Sequence, residues 1–286
     1  MQELSPVVAA HELGRRLRER RDALGLPASD VARAAGCSAQ YLSQVETGRK
    51  VPAHERLLAF SSRLDFDKDE GDELVALRRR ANDRGPLARY SGIFSAELLR
   101  FFGFEQGCES MHSFGHLVHG LLQTPDYARA VIASGGARIR QAEVERRVEA
   151  RMLRQERLRR ADPLSLSIVV GEAAIRQQVG GPKVLARQLE HLVDRIEEHA
   201  PHVQVHIIPF TVAGHPAFSV PVFHLLGFPS TRISDLVWLD TVPGMLSFDD
   251  PVAVHDFRLA HAAAVDAALP VVDSLRLIKE AARELE

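Results

Sequence analysis

The first eighty residues carry apolar side chains at helical spacing in five successive segments. Leu13, Leu17 and Leu24 lie four and seven positions apart, which places them on one face of a helix that Gly25 would end. The periodicity predicts five helices: over 11–24, from Pro27 and Ser29, over 38–47, from Pro52, and over 67–80. A hinge is predicted at 82–86 and a further apolar helix over 94–104. The N-terminal part is therefore predicted to be all-α.

From Ser110 onward the pattern changes, because runs that alternate or are rich in β-branched and aromatic residues separate the helical segments. Strands are predicted over 164–170, 203–208, 222–226 and 236–239. Helices are predicted over 124–133, 141–160, 182–199, 251–268 and 270–284. This order predicts a larger C-terminal domain of mixed α/β (α+β) class.

The length of 286 residues is typical of two domains. The predicted boundaries are 1–80 for the first domain, 81–106 for a helical linker and 107–286 for the second domain. No run approaches the roughly 18 consecutive apolar residues that span a bilayer, and the N-terminus lacks the features of a signal peptide. We therefore expect a cytoplasmic protein with no membrane association. Cys37 and Cys108 lie far apart, so reduced thiols are expected.

Residues 25–49 have the pattern of two short helices joined by a tight turn at Gly36. Small residues stand where the two helices would cross, and apolar residues share a buried side. The outward side carries hydroxyls and amides, namely Ser38, Gln40, Tyr41, Ser43 and Gln44. Such a face suits the major groove of DNA, where an amide pairs with a base edge and a hydroxyl with a phosphate oxygen. The segment therefore predicts a DNA-binding unit.

The formal net charge of −2 conceals a basic N-terminal region. Residues 11–60 contain nine Lys or Arg against six Asp or Glu, a local net charge of +3. This excess is small for a DNA-binding domain, so one copy would hold phosphates weakly. Two copies on one duplex would each release counterions, and a homodimer is therefore expected.

The stretch 13–64 resembles the Xre-type helix-turn-helix domain of phage-repressor-like regulators. The motifs that carry the resemblance are Leu24-Gly25-Leu26, Val31-Ala32, Gly36-Cys37-Ser38, Tyr41 through Gly48, and Arg49 to Pro52. It implies base contacts from Ala39, Gln40, Tyr41 and Gln44, and phosphate contacts from Ser38, Ser43, Arg49 and Lys50. It also implies a structural ion pair between Arg21 and Glu46. The chain departs from the family at Pro27-Ala28, where Thr-Gln is common, so the usual phosphate-binding Gln is missing.

The remainder resembles the C-terminal domain of actinobacterial antitoxin-like regulators of the WhiJ type. The motifs are residues 120–130, Arg147 with Arg151, and residues 154–158, 172–176, 180–182, 208–210, 214–216 and 248–251. The resemblance implies a transcriptional regulator, commonly encoded beside a small acidic partner protein that acts on it. The resemblance therefore points to transcriptional regulation but identifies no ligand of this domain.

A helix rich in arginine is predicted around 138–160, where the sequence contains nine Arg and four Glu. One interpretation is a solvated face with ion pairs four positions apart. The alternative is a docking surface for an acidic partner or an anionic ligand, with Arg147, Arg151 and Arg154 as the candidate residues. His215, in a loop between two predicted strands, is either a further candidate for ligand binding or a turn histidine.

Four potential metal ligands lie close together in sequence: Cys108, His112, His116 and His119. On a helix the three histidines would share one side, which is a plausible zinc arrangement. If the segment 111–117 is instead a strand, His112 and His116 share a face and His119 points elsewhere, and this second interpretation predicts no metal site. Gly180-Gly181-Pro182-Lys183 lacks the P-loop spacing and is interpreted as a turn into a helix. The chain has no nucleophile elbow, zinc-protease helix or dinucleotide fingerprint, so neither an enzyme nor a cofactor is predicted.

These patterns together predict a sequence-specific, homodimeric transcriptional regulator that binds double-stranded DNA. Its C-terminal domain would receive a signal from a partner protein or a small ligand, or hold the dimer together. The alternative is an antitoxin-like interaction protein that neutralises a small acidic partner, with DNA binding secondary.

Overall fold

The computed structural model describes residues 4–135, 139–215, 219–230, 232–241 and 244–285. These residues form two compact units. The first, here the helical unit, contains the chain up to Arg89 together with Leu99–Gly107 and Phe228–Ile233. The second, here the sheet unit, contains Tyr90–Leu98, Cys108–Gly227 and the chain from Ser234 onward. The domain boundaries at 80 and 106 remain predictions.

The helical unit confirms the predicted all-α N-terminal domain with five helices. They are α1 (Pro6–Ala23), α2 (Ala28–Ala34), α3 (Ala39–Glu46), α4 (His54–Arg63) and α5 (Lys68–Ala81). A sixth helix, α6 (Ala96–Gly107), contributes its residues from Leu99 onward to this unit. Helix α1 begins five residues earlier than predicted, because the Ser5 hydroxyl accepts a hydrogen bond from the Val8 N–H and Pro6 occupies the first turn.

The core of the helical unit includes Leu13 and Leu17 from the predicted apolar face of α1, whereas Leu24, predicted on the same face, follows the end of α1 and is 45% exposed. Leu13 and Leu17 of α1 pack with Leu42 and Val45 of α3, and all four are buried. Helix α5 closes this core, and its start is fixed by a capping box between Asp67 and Glu70.

Helices α1 and α3 approach so closely that their backbones touch. A Cβ added at Gly14 would lie 2.2 Å from the Val45 carbonyl oxygen, so only glycine fits at this crossing. Gly48, just after α3, has φ +66°, and an added Cβ would lie 2.7 Å from the His11 Cα. The orientation of α3 is therefore set by backbone contact with α1.

The sheet unit contains a six-stranded mixed sheet, which confirms the predicted mixed α and β class. The strands are β1 (Ser110–Gly115), β2 (Ser165–Gly171), β3 (Val203–Ile208), β4 (Phe223–Gly227), β5 (Leu236–Thr241) and β6 (Gly244–Phe248). Their order is β3-β2-β1-β4-β5-β6. The pairs of β1 with β2 and of β2 with β3 are parallel, and the pairs from β1 through β4 and β5 to β6 are antiparallel. Strand β6 was not predicted, because its apolar residues do not alternate with polar ones.

Among the described residues, six helices accompany the sheet. They are α7 (Pro125–Ala133), α8 (Val144–Gln155), α9 (Ala173–Arg176), α10 (Pro182–Glu198), α11 (Pro251–Asp266) and α12 (Val271–Arg283). Helix α8 is shorter than the predicted helix over 141–160, since 3₁₀ turns occupy 141–143 and 156–159. The second turn buries Arg157, whose Nη2 donates to the Cys108 carbonyl over 2.8 Å.

Helix α11 covers one face of the sheet. Its Val254 and Ala264 join a buried cluster that includes Phe114 of β1, Phe223 of β4 and Val237 of β5. In the part of the chain that the structure describes, no helix combines the length and the apolar character required to cross a membrane.

Candidate functional site

The turn between α2 and α3 depends on Gly36, which adopts φ +63°. The Cys37 N–H donates to the Ala32 carbonyl over 2.9 Å, which closes the end of α2. Helix α3 begins immediately afterwards, and its first turn is capped by the Ser38 hydroxyl, which accepts from the Tyr41 N–H over 3.1 Å. Because this cap uses an oxygen lone pair of Ser38, the hydroxyl hydrogen can still donate to a phosphate oxygen.

The structure brings the eight predicted DNA contacts onto one segment around α3. Leu42 and Val45 are buried beneath this segment, so the other side of the helix faces solvent. Six of the eight residues are exposed: Ser38, Ala39, Gln40, Ser43, Arg49 and Lys50. Tyr41 and Gln44 are half-buried. The outer side of α3 therefore presents hydroxyl and amide groups next to two cations.

Arg49 and Lys50 are held at the C-terminal end of α3 by their own backbone. Both N–H groups donate to the Gln44 carbonyl, over 2.8 Å from Arg49 and 3.0 Å from Lys50. The left-handed conformation of Gly48 allows the chain to turn back in this way. The two basic side chains thus start from a fixed position at the end of the helix.

A third cation, Arg56 of α4, belongs to this surface and was not predicted. The Tyr41 ring lies between two cations, with Lys50 Nζ 5.4 Å and Arg56 Cζ 4.8 Å from its centroid. The sequence identifies Arg56 only as one basic residue among nine, since its contact with Tyr41 depends on how α4 packs. Between 38 and 50 the only acidic residue is Glu46, which is buried, so the surface is cationic.

Arg21 and Glu46 form a bidentate ion pair between the ends of α1 and α3. Arg21 Nε donates to Glu46 Oε1 over 2.6 Å, and Nη2 donates to Oε2 over 3.0 Å. The hydrogen bonds to Glu46 raise the pKa of Arg21 above its usual range. Since Glu46 is only 7% exposed, it holds α3 in place instead of facing the solvent.

Helix α2 begins without a side-chain cap. Pro27 occupies the position before its first residue, and no side chain bonds to the first-turn N–H groups. Pro27 and Ala28 stand where the family often has Thr-Gln, and neither side chain can donate a hydrogen bond to a phosphate.

Two of the three candidate arginines of the sheet unit bond within their own unit, and the third is buried. Arg147 donates to the Ile93 carbonyl, pairs with Glu143 over 3.1 Å, and lies 4.8 Å from the Phe94 ring centroid. Arg151 donates to the Gln123 side chain, and Arg154 is only 7% exposed.

Gln155 reinforces this arrangement by donating to the Gly120 and Gln123 carbonyls over 3.1 and 2.8 Å. Arg151 and Gln155 of α8 thus bond to the segment 118–124. This structural role accounts for the two motif residues without any partner protein. His215 does not join them, because it packs against Phe114, 6.1 Å away between ring centroids, on the sheet face that α11 covers. Arg138 and Pro216, neighbours of these candidates in sequence, lie outside the described residues.

The four potential metal ligands are spread over both faces of the sheet. His112 lies 5.0 Å from His261 of α11 and His119 lies 5.4 Å from His224 of β4, both measured between ring centroids. His116 packs against Phe114, and Cys108 is fully buried. Among the residues for which the structure gives a position, no three His, Cys, Asp or Glu side chains converge as metal ligands.

Two histidines of the sheet unit are held in neutral form, His261 in a buried position and His224 in a partly buried one. Burial, together with the neighbouring His112, lowers the pKa of His261 to about 4. Burial and the charge of Arg154 lower the pKa of His224 to about 3, and the Ser113 hydroxyl lies 2.8 Å from its Nδ1. Between these values and the ordinary pKa of about 6.5, the unfolded chain binds more protons than the folded one.

We therefore expect the sheet unit to lose stability as the pH falls from 7 towards 4. His261 alone accounts for a loss of about 2 kcal/mol in unfolding free energy between pH 8 and pH 5. Urea unfolding followed by the fluorescence of Trp238, the single tryptophan, measures this loss. The variant His261→Asn, which has no titrating group, should flatten the pH dependence by that amount, whereas His255→Asn at an exposed position of α11 should leave it unchanged. An equal pH dependence in both variants would contradict the assignment.

Two family models match the chain. Residues 12–74 match a helix-turn-helix domain, and residues 98–280 match the domain of unknown function DUF5753. No curated protein and no solved structure matches the chain. The helix-turn-helix match contains α2 and α3 and the cationic surface around them. The chain thus carries an N-terminal helix-turn-helix domain and, through the match that covers most of its length, belongs to the DUF5753 family.

Proposed function

We propose that the chain is a sequence-specific DNA-binding transcriptional regulator of the Xre type, which acts in the cytoplasm as a homodimer. The observation that carries the proposal is the surface of α3, which presents exposed hydroxyl and amide side chains bordered by Arg49, Lys50 and Arg56. Major-groove readers require such a combination, because amides identify base edges while cations hold the phosphates.

In this proposal α3 lies in the major groove. Gln40 and Gln44 contact base edges, since a glutamine amide can donate and accept at the same time. Ser38, Ser43 and the three cations contact phosphates on either side. Tyr41 restricts Lys50 and Arg56 by the contacts with its ring, which lowers the entropy lost when they bind phosphate.

We expect Gln44→Ala and Lys50→Ala to weaken DNA binding in different ways. Gln44→Ala should cost about 1–3 kcal/mol on the preferred site and much less on a site changed at one base pair, because only that base pair loses its contact. Lys50→Ala should weaken all sequences alike and reduce the salt dependence of binding by about one counterion. Equilibrium binding to a panel of single-base variants separates the two effects.

Lys68→Ala is the matched control, since Lys68 is an exposed cation of the same unit at the start of α5, away from α3. It should bind every sequence as the unchanged chain does. A uniform loss of affinity in Gln44→Ala across the panel would contradict its assignment as a base reader.

We further propose that the sheet unit receives a signal from a partner protein or a small ligand, as its resemblance to WhiJ-type regulators suggests. The proposal includes no enzymatic activity and no cofactor. Because Arg147 and Arg151 bond within the unit, an acidic partner on α8 would instead meet the exposed Arg146 or the exposed Arg159 in the turn that follows. Charge reversal at both Arg146 and Arg159 should abolish copurification with such a partner, whereas unchanged copurification would exclude this surface.

A further inference from the structure

The two edge strands of the sheet, β3 and β6, differ in whether other segments bond to their outer side. At β3, the outer side of Ile207 is already occupied: its carbonyl accepts from the Leu269 N–H over 2.9 Å, and its N–H donates to the Ser274 hydroxyl over 3.0 Å. At the opposite edge, β6 pairs with β5 alone within the described residues. A strand in this position offers a row of backbone donors and acceptors to another strand.

Strand β6 carries large apolar side chains of the kind that are usually buried, but they are exposed. Leu246 and Phe248 are 50% and 39% exposed, and they stand opposite Leu239 and Val237 of β5. Residues opposite each other in an antiparallel pair share a face, so Leu246 and Phe248 extend the apolar face formed by Leu239 and Val237 beyond its covered part. Val252, in the first turn of α11 four residues after Phe248, is 67% exposed as well.

Strand β6 itself carries none of the side chains that usually protect a sheet edge, although the exposed Asp249 and Asp250 follow it directly. Edge strands are usually protected by charged side chains, by proline or by a bulge. The five residues Gly244–Phe248 contain no charge and no proline, and their register with β5 runs without interruption. The edge is therefore open to pairing.

We propose that β6 is the homodimerisation edge of this protein and that it pairs antiparallel with β6 of a second copy. Two copies of one strand, related by a two-fold axis, satisfy each other's outer backbone groups with the same residues. The pairing brings the Leu246 and Phe248 side chains of both copies together on one face. It extends the sheet from six strands in one copy to twelve across the dimer.

A second copy fits this edge better than an unrelated partner because of charge. An uncharged strand meets itself without any like-charge pair, whereas an acidic partner protein would find no cation between residues 244 and 248. The interface also supplies the second helix-turn-helix domain that the proposed function requires, and in this respect it builds on that proposal. A strand pair alone buries less than the roughly 800 Å² per partner of a stable interface, so the apolar side chains around β6 must contribute.

The test is the molar mass of the full chain in solution without DNA, measured by sedimentation equilibrium over a range of concentrations. The unchanged chain should sediment as a dimer. Leu246→Glu should weaken self-association at least tenfold, because each copy then brings a carboxylate into the apolar contact. Val272→Glu is the matched control: it alters an equally apolar side chain of α12 that is 69% exposed, and the dimer should persist.

A monomeric unchanged chain, or a Leu246→Glu chain that remains as dimeric as the control, would overturn the proposal. If Leu246→Glu fails to fold, as judged by circular dichroism, Ser247→Lys decides, since Ser247 is exposed on the same edge and a lysine there opposes pairing. A chain that stays dimeric with Leu246→Glu would overturn the β6 edge alone, because the homodimer of the proposed function would persist. Failure of the regulator proposal would instead appear as a dimer without sequence-specific DNA binding.

Discussion

Replacing Gly14 by alanine should destabilise the helical unit by about 3 kcal/mol and abolish DNA binding. The added methyl group would lie 2.2 Å from the Val45 carbonyl oxygen and 2.8 Å from that of Glu46. Both are backbone atoms at the end of α3, so the clash cannot be relieved by rotating a side chain. Helix α3 must move away from α1, which disturbs the Arg21–Glu46 ion pair and the position of the recognition surface.

Gly71→Ala is the matched control for this substitution. Gly71 lies inside α5, and an added Cβ would meet only the Ser61 Oγ at 3.5 Å. Alanine is the better helix former, so this variant should be as stable as the unchanged chain or more stable by up to about 1 kcal/mol. Urea unfolding followed by far-ultraviolet circular dichroism compares the two. Equal stability of the two variants would mean that α1 and α3 do not cross as closely as described.

Arg157→Met should destabilise the sheet unit by about 3 kcal/mol. The Arg157 side chain is fully buried and donates to the Cys108 and Asp162 carbonyls. Methionine fills a similar volume but donates no hydrogen bond, so both carbonyl oxygens lose a charge-assisted partner. The fluorescence of Trp238, buried in β5, reports the unfolding of this unit.

Arg159→Met tests whether the loss comes from burial or from charge alone. Arg159 lies in the same 3₁₀ turn but is exposed, and its replacement should change the unfolding free energy by less than about 0.5 kcal/mol. If both variants lose the same stability, the hydrogen bonds of Arg157 are not what stabilises the unit.

The sequence was sufficient to predict most helices and the exposed face of α3, because both depend on local periodicity. The predicted turn at Gly36 is likewise local, since it involves residues a few positions apart. The resemblance, and not the spacing, pointed to Arg21 and Glu46, which are 25 positions apart.

What the sequence did not reveal depends on contacts between distant segments. The pair of Arg147 with Glu143 is of the predicted kind, four positions apart, but the bond from Arg147 to the Ile93 carbonyl joins residues 54 positions apart. Arg56 acquires its place only through the packing of α4 beside Tyr41. Strand β6 has too little periodicity of its own, and its identity as a strand comes from pairing with β5.

If α3 reads DNA sequence, the full chain should select one motif from a library of random double-stranded DNA. The full chain is incubated with the library, and the bound molecules are sequenced over several rounds. We expect enrichment of a motif with two inverted half-sites whose centres lie about 10 base pairs or a multiple apart. Gln44→Ala should change the preference at one position of each half-site, while Lys50→Ala should select the unchanged motif. If the full chain enriches no sequence, α3 does not read DNA sequence.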